Sequence, residues 1–210
     1  MVSVFRDRLV TCTRSIGRSL SEKEIEAFET HYRLLREWGR RMNLTGLKDE
    51  ERIVRRHFLE PIAAADLVGE EGRLVDLGSG NGFPAIPLKI LRPRLELVLV
   101  EASEKKSAFL WAVLRELHLE GARVVTRHVR GIADLADLLP CRYLTLRAIR
   151  VREVLKKKTV SILEPGGKGL FFLSADDAES LRDRPVAGLR LVATRPLPTG
   201  PGSVVAILEP

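Results

Sequence analysis

The residues of this chain that are best placed for chemistry surround a glycine-rich stretch in its first half. A short apolar run from Leu74 ends at Asp76 and Leu77. Three glycines then occupy alternate positions, Gly78, Gly80 and Gly82. Glycine has no Cβ, so backbone N–H groups in such a loop can approach a ligand closely. A helix is expected to begin near Pro84, because proline is tolerated at the first helical position. The stretch predicts a strand, a ligand-binding turn and a helix.

The glycine spacing distinguishes this turn from two common phosphate-binding loops. It reads Gly-x-Gly-x-Gly, whereas dinucleotide folds use Gly-x-Gly-x-x-Gly and P-loops end in Gly-Lys-Ser/Thr. The carboxylate of Asp76 at the mouth of the loop would repel a pyrophosphate but suits a ligand with cationic groups. S-adenosylmethionine, with an ammonium and a sulfonium, is such a ligand. Taken alone, the loop is equally consistent with a tight turn that binds nothing.

A second acid follows the next predicted strand. Glu101 ends the apolar run Leu97-Val98-Leu99-Val100. Ligands of open parallel sheets bind beyond the carboxyl ends of the strands, and an acid there accepts hydrogen bonds from ribose hydroxyls. Together with Asp76, Glu101 therefore favours a nucleoside-type ligand, with S-adenosylmethionine ahead of a nicotinamide dinucleotide.

The elements that position these acids are predicted to alternate between strands and helices from Arg73 onward. Seven strands are expected, at residues 74–77, 95–100, 122–126, 142–146, 168–173, 189–194 and 203–208. Helices are expected at residues 85–91, 104–119 and 132–138. Such alternation indicates a doubly wound, mostly parallel sheet. The last two strands have little sequence for a helix between them, which favours an antiparallel hairpin at the sheet edge, as in the Rossmann-like class I methyltransferase fold.

The first part of the chain is predicted to be helical, without strands. One helix is expected within residues 1–17, and a second after the capping box formed by Ser21 and Glu24. A third helix is expected from an Asp49 cap to about Leu67. We therefore expect a helical cap over residues 1–70 and an α/β domain over residues 71–210.

Composition limits the partners and the compartment. The chain has 210 residues, a formal net charge of +7 and a pI of about 9.8, which makes nucleic acid the first candidate partner. Cys12 and Cys141 are far apart and form no metal-binding pair, so neither a disulfide nor a metal site is expected. No apolar run reaches 18 residues and no signal core is present at the N-terminus. We expect a cytoplasmic protein, not associated with membranes.

Four stretches in the correct order resemble the bacterial small-subunit ribosomal RNA methyltransferase G family, also called glucose-inhibited division protein B. In chain order, they are an N-terminal signature made of Asn43-Leu44-Thr45 with Arg56-His57-Phe58-Leu59, the glycine stretch with its Phe83-Pro84 ending, the segment Leu99 to Leu110, and Leu146-Arg147-Ala148. The resemblance spans residues 25–169. It implies transfer of a methyl group from S-adenosyl-L-methionine to N7 of a guanine in the decoding-region loop of 16S rRNA. The implied partner is the 30S subunit or its precursor, and we expect a monomer.

The resemblance also implies roles for individual residues. Gly78, Phe83 and Arg147 match cofactor-site positions, Glu101 is expected to hold the ribose, and Gly131-Ile132 falls where the family places two residues against the adenine. Arg147 is also the expected catalytic residue. Its alternative role is a clamp on an RNA phosphate, which an arginine at a strand end also suits.

A basic surface is the predicted RNA contact. The main candidates are Arg52, Arg55, Arg56, His57, Lys105 and Lys106, with further candidates at Arg40, Arg41, Lys48 and residues 156–158. Such contacts are mostly to phosphates and depend strongly on salt. His57 is equally consistent with a histidine that packs the cap onto the α/β domain, and the two lysines with a solvated helix start.

The chain departs from the family pattern at several positions. Ile132 replaces Glu, Ala85 replaces Gly, Glu60-Pro61 replaces Asp-Ser, and Ser174-Ala175 replaces Lys-Gly. These changes concern substrate recognition more than cofactor binding. Two further functions therefore stay open, a methyltransferase with another substrate and a non-catalytic RNA-binding paralogue. A dinucleotide oxidoreductase is disfavoured by the glycine spacing and by Asp76.

Overall fold

The computed structural model describes residues 2–40, 42, 49–147, 155, 161–183, 185–200 and 202–210. Its N-terminal part is helical, as predicted. The helices are α1 (Val2–Ser15), α2 (Glu22–Gly39), α3 (Glu50–Ile53), a π-helical segment (Val54–Leu59) and α4 (Glu60–Ala63), followed by a 3₁₀ turn (Ala65–Leu67). The predicted capping box begins α2, because the Ser21 N–H donates to the Glu24 carboxylate and the Glu24 N–H donates to the Ser21 hydroxyl.

The third predicted helix is not one continuous α-helix. Between α3 and α4 the backbone changes to the π register, in which the Glu60 N–H donates to Arg55 O. Pro61 explains the interruption, because a proline inside an α-helix lacks an N–H and its ring collides with the carbonyl four residues earlier. A π segment relieves that collision, and such segments occur frequently at functional sites.

A seven-stranded sheet follows the helical part. Its strands are β1 (Gly72–Leu77), β2 (Leu95–Glu101), β3 (Ala122–Thr126), β4 (Cys141–Arg147), β5 (Leu163–Ser174), β6 (Arg190–Pro196) and β7 (Ser203–Glu209). Their order is β3-β2-β1-β4-β5-β7-β6, with β7 antiparallel to both of its neighbours and the other pairs along β3 to β5 parallel. This arrangement confirms the predicted fold class, including the hairpin at the edge.

The central strands are buried on both faces. Leu74 and Leu97 point into a hydrophobic cluster shared with the N-terminal helices, whereas Val75 and Val98 point into a second cluster on the opposite face. Because successive side chains of a strand alternate between faces, two-sided burial requires the unbroken apolar runs seen in the sequence.

The remaining helices of the described residues are α5 (Ala85–Leu91), α6 (Glu104–Glu116) and the short α7 (Ala175–Glu179). The predicted helix at 132–138 was wrong in type and length, because the chain forms a 3₁₀ turn at Ile132–Leu135. Pro140 disfavours the helical conformation for the residue before it, which leaves little room for an α-helix before β4. No helix among the described residues is long and apolar enough to cross a membrane.

Candidate functional site

The glycine loop joins β1 to α5 at the carboxyl edge of the sheet. Gly78, Gly80 and Gly82 have φ angles of +67°, +54° and +86°, in the left-handed region that glycine enters without steric cost. The N–H groups of Gly78 and Ser79 both donate to Val100 O, at 2.8 and 3.1 Å. The loop therefore folds over the end of β2 and leaves Gly78 exposed and Gly80 half-buried.

Asp76 lies beneath this loop and is buried. Its Oδ1 accepts a hydrogen bond from the Thr145 hydroxyl at 2.6 Å, and its Oδ2 has no hydrogen-bond partner among the described residues. Burial raises the pKa of Asp76 to about 7; the hydroxyls of Thr145 and Ser79 oppose this shift, and the Glu101 carboxylate adds to it. A cationic ligand group beside Asp76 would relieve this cost of burying a carboxylate.

Glu101 is held at the end of β2 by two backbone donors. Its Oε2 accepts from the Gly80 N–H at 2.8 Å and its Oε1 from the Ser103 N–H at 2.9 Å. Each carboxylate oxygen keeps a further lone pair with which it can accept a hydroxyl. A Cβ built at Gly80 would meet only Gly78 O, at 3.7 Å, so this side of the loop is open. The orphaned Asp76 oxygen, the fixed Glu101 and the open loop fit a ligand with hydroxyls and a cationic group.

Phe83 connects the loop to the helical part of the chain. Its ring is stacked between two histidine rings, His31 and His57, each with a centroid separation of 4.6 Å and an interplanar angle near 10°. Phe58 packs edge-on at 5.0 Å. Phe83 is therefore buried under the cap, and its predicted place at the cofactor site stays a prediction.

His31 was not found from the sequence, although its position offered a signal. It follows Phe28 by three residues on the buried stripe of α2, where a histidine must find a polar partner. In the structure its Nε2 bonds to Asn81 O at 3.1 Å, which ties α2 to the glycine loop and requires the Nε2–H tautomer. Burial lowers the pKa of His31 to about 4, so the ring is neutral near pH 7.

His57 lies on the π segment and is half-buried. Burial, reinforced by the charges of Arg147 and Arg56, lowers the pKa of His57 to about 3. Its stacking on Phe83 is the packing role that the sequence allows as one of two alternatives. An RNA contact of His57 stays a prediction.

Arg147 ends β4 beside the glycine loop, one residue beyond the Leu77–Leu146 register pair. Its Nη2 donates to Glu60 Oε2 at 2.6 Å and its Nη1 to Arg56 O at 2.6 Å. Burial lowers the pKa of Arg147, and the adjacent Glu60 opposes this shift. The sequence marked Glu60 only as a departure from the family pattern, and its contact with Arg147 was not predicted.

The pair predicted to lie near the adenine has two different environments. Gly131 is half-buried and in an extended conformation, with φ of −173°. The Ile132 side chain is buried in the hydrophobic cluster that contains Val100 and Leu135. Ile132 therefore offers an apolar side chain that is part of the core, and its contact with a cofactor stays a prediction.

The predicted RNA contacts are mostly exposed. Arg52, Arg55 and Arg56 are exposed on α3 and the π segment, and Lys105 is exposed with Lys106 half-buried in the first turn of α6. Arg55 is paired with Glu51 at 3.1 Å, and Arg56 lies 4.0 Å from Glu60. The predictions that concern Arg41, residues 43–45, Lys48, Ala148 and residues 156–158 lie outside the described residues. Within the described ranges, no group of three or more acidic, histidine or cysteine side chains is arranged to hold a metal ion.

Comparisons with known proteins identify the family to which the chain is similar. A family model described as rRNA small subunit methyltransferase G matches residues 24–187. A protein of Streptococcus pyogenes serotype M12 named ribosomal RNA small subunit methyltransferase G is 33% identical over 204 residues, covering 92% of this chain and 86% of the relative.

Solved structures resemble the fold at lower sequence identity. A SAM-dependent methyltransferase from Aquifex aeolicus has a TM-score of 0.57 and 15% identity, over 80% of this chain and 97% of the other. Aeropyrum pernix fibrillarin, solved with natively bound S-adenosyl-L-methionine, has a TM-score of 0.54 and 18% identity, over 70% of this chain and 74% of the other. These two similarities concern the fold alone, which is that of the class I methyltransferases.

Proposed function

The chain belongs to the rRNA small subunit methyltransferase G family, and from that premise we propose that it methylates N7 of a guanine in the decoding-region loop of 16S rRNA. Family membership by itself indicates methylation of small-subunit ribosomal RNA with S-adenosyl-L-methionine as methyl donor. To this activity we add the target atom, N7, and the target loop.

One observation supports the glycine loop as the cofactor site. Two buried carboxylates, Asp76 and Glu101, flank an open glycine loop at the carboxyl ends of adjacent parallel strands, where ligands of such sheets bind. We assign Glu101 to the ribose hydroxyls and Asp76 to a cationic part of the cofactor, with the backbone of Gly78, Gly80 and Gly82 close to the ligand.

The bound cofactor supplies an electrophilic methyl group: its bond to sulfur breaks as a bond to N7 forms, and S-adenosylhomocysteine and a cationic 7-methylguanine result. The protein's task is to align N7 with the methyl group and to keep water out, which is a problem of proximity and orientation. Arg147, at the end of β4, is assigned to this positioning.

The proposed acceptor atom needs no general base. Guanine N7 has an exposed lone pair and loses no proton on methylation. Both histidines next to the glycine loop have lowered pKa values, about 4 for His31 and about 3 for His57, because they are buried. Neither histidine is therefore assigned as a general base, and methylation of N7 requires none.

The test is methyl transfer to defined RNA. The protein is incubated with labelled S-adenosyl-L-methionine and either 30S subunits that lack the modification or naked 16S rRNA. We expect label in 16S rRNA at a position that becomes cleavable by 7-methylguanine chemistry. Glu101→Ala, prepared in the same way, should transfer no label, which excludes a contaminating methyltransferase.

Other outcomes would redirect the proposal. Labelled 16S rRNA without cleavage would contradict the N7 assignment. Cofactor binding without label in either RNA would favour a methyltransferase with another substrate. Failure to bind the cofactor at all would favour a non-catalytic RNA-binding protein.

A further inference from the structure

The guanidinium of Arg147 sits in a socket formed by the third helical region. Its Nη2 donates to Glu60 Oε2 and its Nη1 to Arg56 O, both at 2.6 Å. The Arg147 side chain is only 13% exposed and that of Glu60 only 2%. The orientation of the guanidinium is therefore set by the helical cap as well as by the strand that carries it.

Pro61 explains why the backbone carbonyl of Arg56 is available to accept a hydrogen bond from Arg147. In the π register a carbonyl accepts from the N–H five residues later, as Arg55 O does from Glu60. The corresponding donor for Arg56 O would be residue 61, which is proline and has no N–H. The carbonyl is thus left without that helical bond, and Arg147 supplies a hydrogen bond in its place.

Glu60 is itself fixed from the opposite side. Its Oε1 accepts a hydrogen bond from the Thr199 hydroxyl, in the turn between β6 and β7. Both oxygens of the buried carboxylate are therefore occupied, one by the hairpin and one by Arg147. A buried carboxylate needs such partners, since an unpaired charge in this position would be strongly destabilising.

We propose that Glu60 and Pro61 are positioning residues that act through Arg147: the carboxylate and the carbonyl released by the proline fix the guanidinium at the carboxyl edge of the sheet for methyl transfer. The inference rests on the proposed function, because it takes the reaction at this edge as given. It assigns a role to two residues at which the chain departs from the family pattern.

The first experiment is a double-mutant cycle with Glu60→Gln and Arg147→Ala, measured as kcat/KM for 30S subunits. Glu60→Gln keeps the size of the side chain but removes the charge. We expect it to lower kcat/KM by about ten- to a hundredfold, the range in which a misplaced group reduces turnover. In the Arg147→Ala background the same change should add little, because the group it positions is already gone.

Glu179→Gln is the matched control. Glu179 is the exposed last residue of α7, and its carboxylate is paired with Arg182 instead of Arg147, so its substitution should leave kcat/KM unchanged. If the reduction in kcat/KM of the Glu60/Arg147 double variant equalled the product of the two single reductions, the inference would be overturned. Unchanged kcat/KM of Glu60→Gln would also overturn it.

Pro61→Ala separates positioning from general stability. Alanine supplies an N–H that competes with Arg147 for Arg56 O, and it also removes a proline from the interior of a helical region. We expect the melting temperature to be equal or higher and kcat/KM to be lower. Full activity of Pro61→Ala would overturn the role assigned to the released carbonyl.

A second measurement distinguishes failure of this inference from failure of the proposed function. It is the free energy of unfolding of the four proteins in the Glu60/Arg147 cycle, which can be measured without RNA. Coupling between the two positions would support the socket even if the wild-type protein transferred no methyl group, a result that would overturn the proposed function alone. Absence of coupling would overturn the socket whatever the activity.

Discussion

At the residue scale, the fold strongly changes the acidity of the Asp76 carboxyl. Its pKa is raised to about 7 from an ordinary value of 3.8, since it is buried and one of its oxygens has no partner among the described residues. Between these pH values the unfolded chain ionises while the folded carboxyl keeps its proton. In this range the folded state binds more protons than the unfolded chain, so the free energy of unfolding falls as the pH rises.

The first prediction follows from this shift. The free energy of unfolding of the wild type, relative to Asp76→Asn, should fall as the pH rises from about 4 to about 7, by about 1.4 kcal/mol per unit of pKa shift. Urea unfolding of both proteins at several pH values measures this difference, in which other titrating groups cancel. A difference that does not change with pH would show that Asp76 titrates normally.

The same shift predicts the pH dependence of cofactor binding. A cationic ligand binds the ionised carboxylate better, so affinity for S-adenosyl-L-methionine should rise with pH up to about 7 and then level off. Isothermal titration calorimetry at about pH 5.5 and about pH 8, on either side of that pKa, measures the change. Asp76→Asn should bind weakly at both values, and a wild-type affinity that falls with pH would contradict the assignment.

His31 acts on the glycine loop from the helical cap. His31→Phe keeps a ring to stack on Phe83 but removes the hydrogen bond to Asn81 O. Because one hydrogen bond contributes about 1 kcal/mol net, we expect stability to change little. Cofactor affinity should fall several-fold as the loop loses an anchor, measured by calorimetry alongside thermal unfolding. Unchanged affinity would assign His31 to packing alone.

At the scale of the element, the loop between β1 and α5 has two kinds of glycine. A Cβ at Gly82 would lie 2.4 Å from Ile86 Cδ1, so this glycine is needed for the packing of α5. A Cβ at Gly80 meets only Gly78 O at 3.7 Å, so this glycine is needed for its backbone angle and for the open face. The motif contains both, and only their surroundings distinguish them.

This difference predicts opposite phenotypes for two similar substitutions. Gly80→Ala should lower cofactor affinity strongly and stability by only about 1–2 kcal/mol, the cost of a left-handed non-glycine residue. Gly82→Ala should be the more destabilising, since it adds a collision to the same backbone cost. Urea unfolding and calorimetry of both variants decide. Greater destabilisation by Gly80→Ala would contradict this division.

At the scale of the whole molecule, the cap and the sheet are joined at several places. His31 bonds to the glycine loop, Arg147 reaches the π segment, and Arg195 of the edge strand β6 pairs with Asp66 at 2.6 Å. The cap is thus attached next to the carboxyl edge of the sheet. The π segment carries the exposed Arg56, whose carbonyl accepts from Arg147, so this part of the cap lies beside the proposed reaction site and suits a phosphate-contacting surface.

The fifth prediction concerns this surface and the net charge of +7. Arg52→Ala/Arg55→Ala should weaken binding to 16S rRNA and reduce the slope of log K against log salt by about 0.7–0.9 for each phosphate that is no longer neutralised. The control is Arg182→Ala/Arg190→Ala, which removes the same charge from the region of α7 and β6. Filter binding at several salt concentrations measures both. Equal effects of the two pairs would indicate non-specific attraction.

Much of the architecture was determined by the sequence alone. Unbroken apolar runs required strands buried on both faces, and Ser21 with Glu24 marked the start of α2. The glycine loop and the acids at positions 76 and 101 indicated the ligand edge, because residue types and local spacing suffice for that inference. The third helix was predicted as continuous although Pro61, which interrupts the α-helical hydrogen bonds, was visible in the sequence.

The contacts that shape the candidate site were decided only by the tertiary structure. His31, Phe83 and His57 belong to three different elements that are distant in the sequence, yet their rings form one stack. Arg147 and Glu60 are separated by 87 positions and share a buried ion pair. Periodicity and motifs report what a residue does near its own place in the chain. Stacking, burial and a raised pKa arise from neighbours that only the folded backbone brings together.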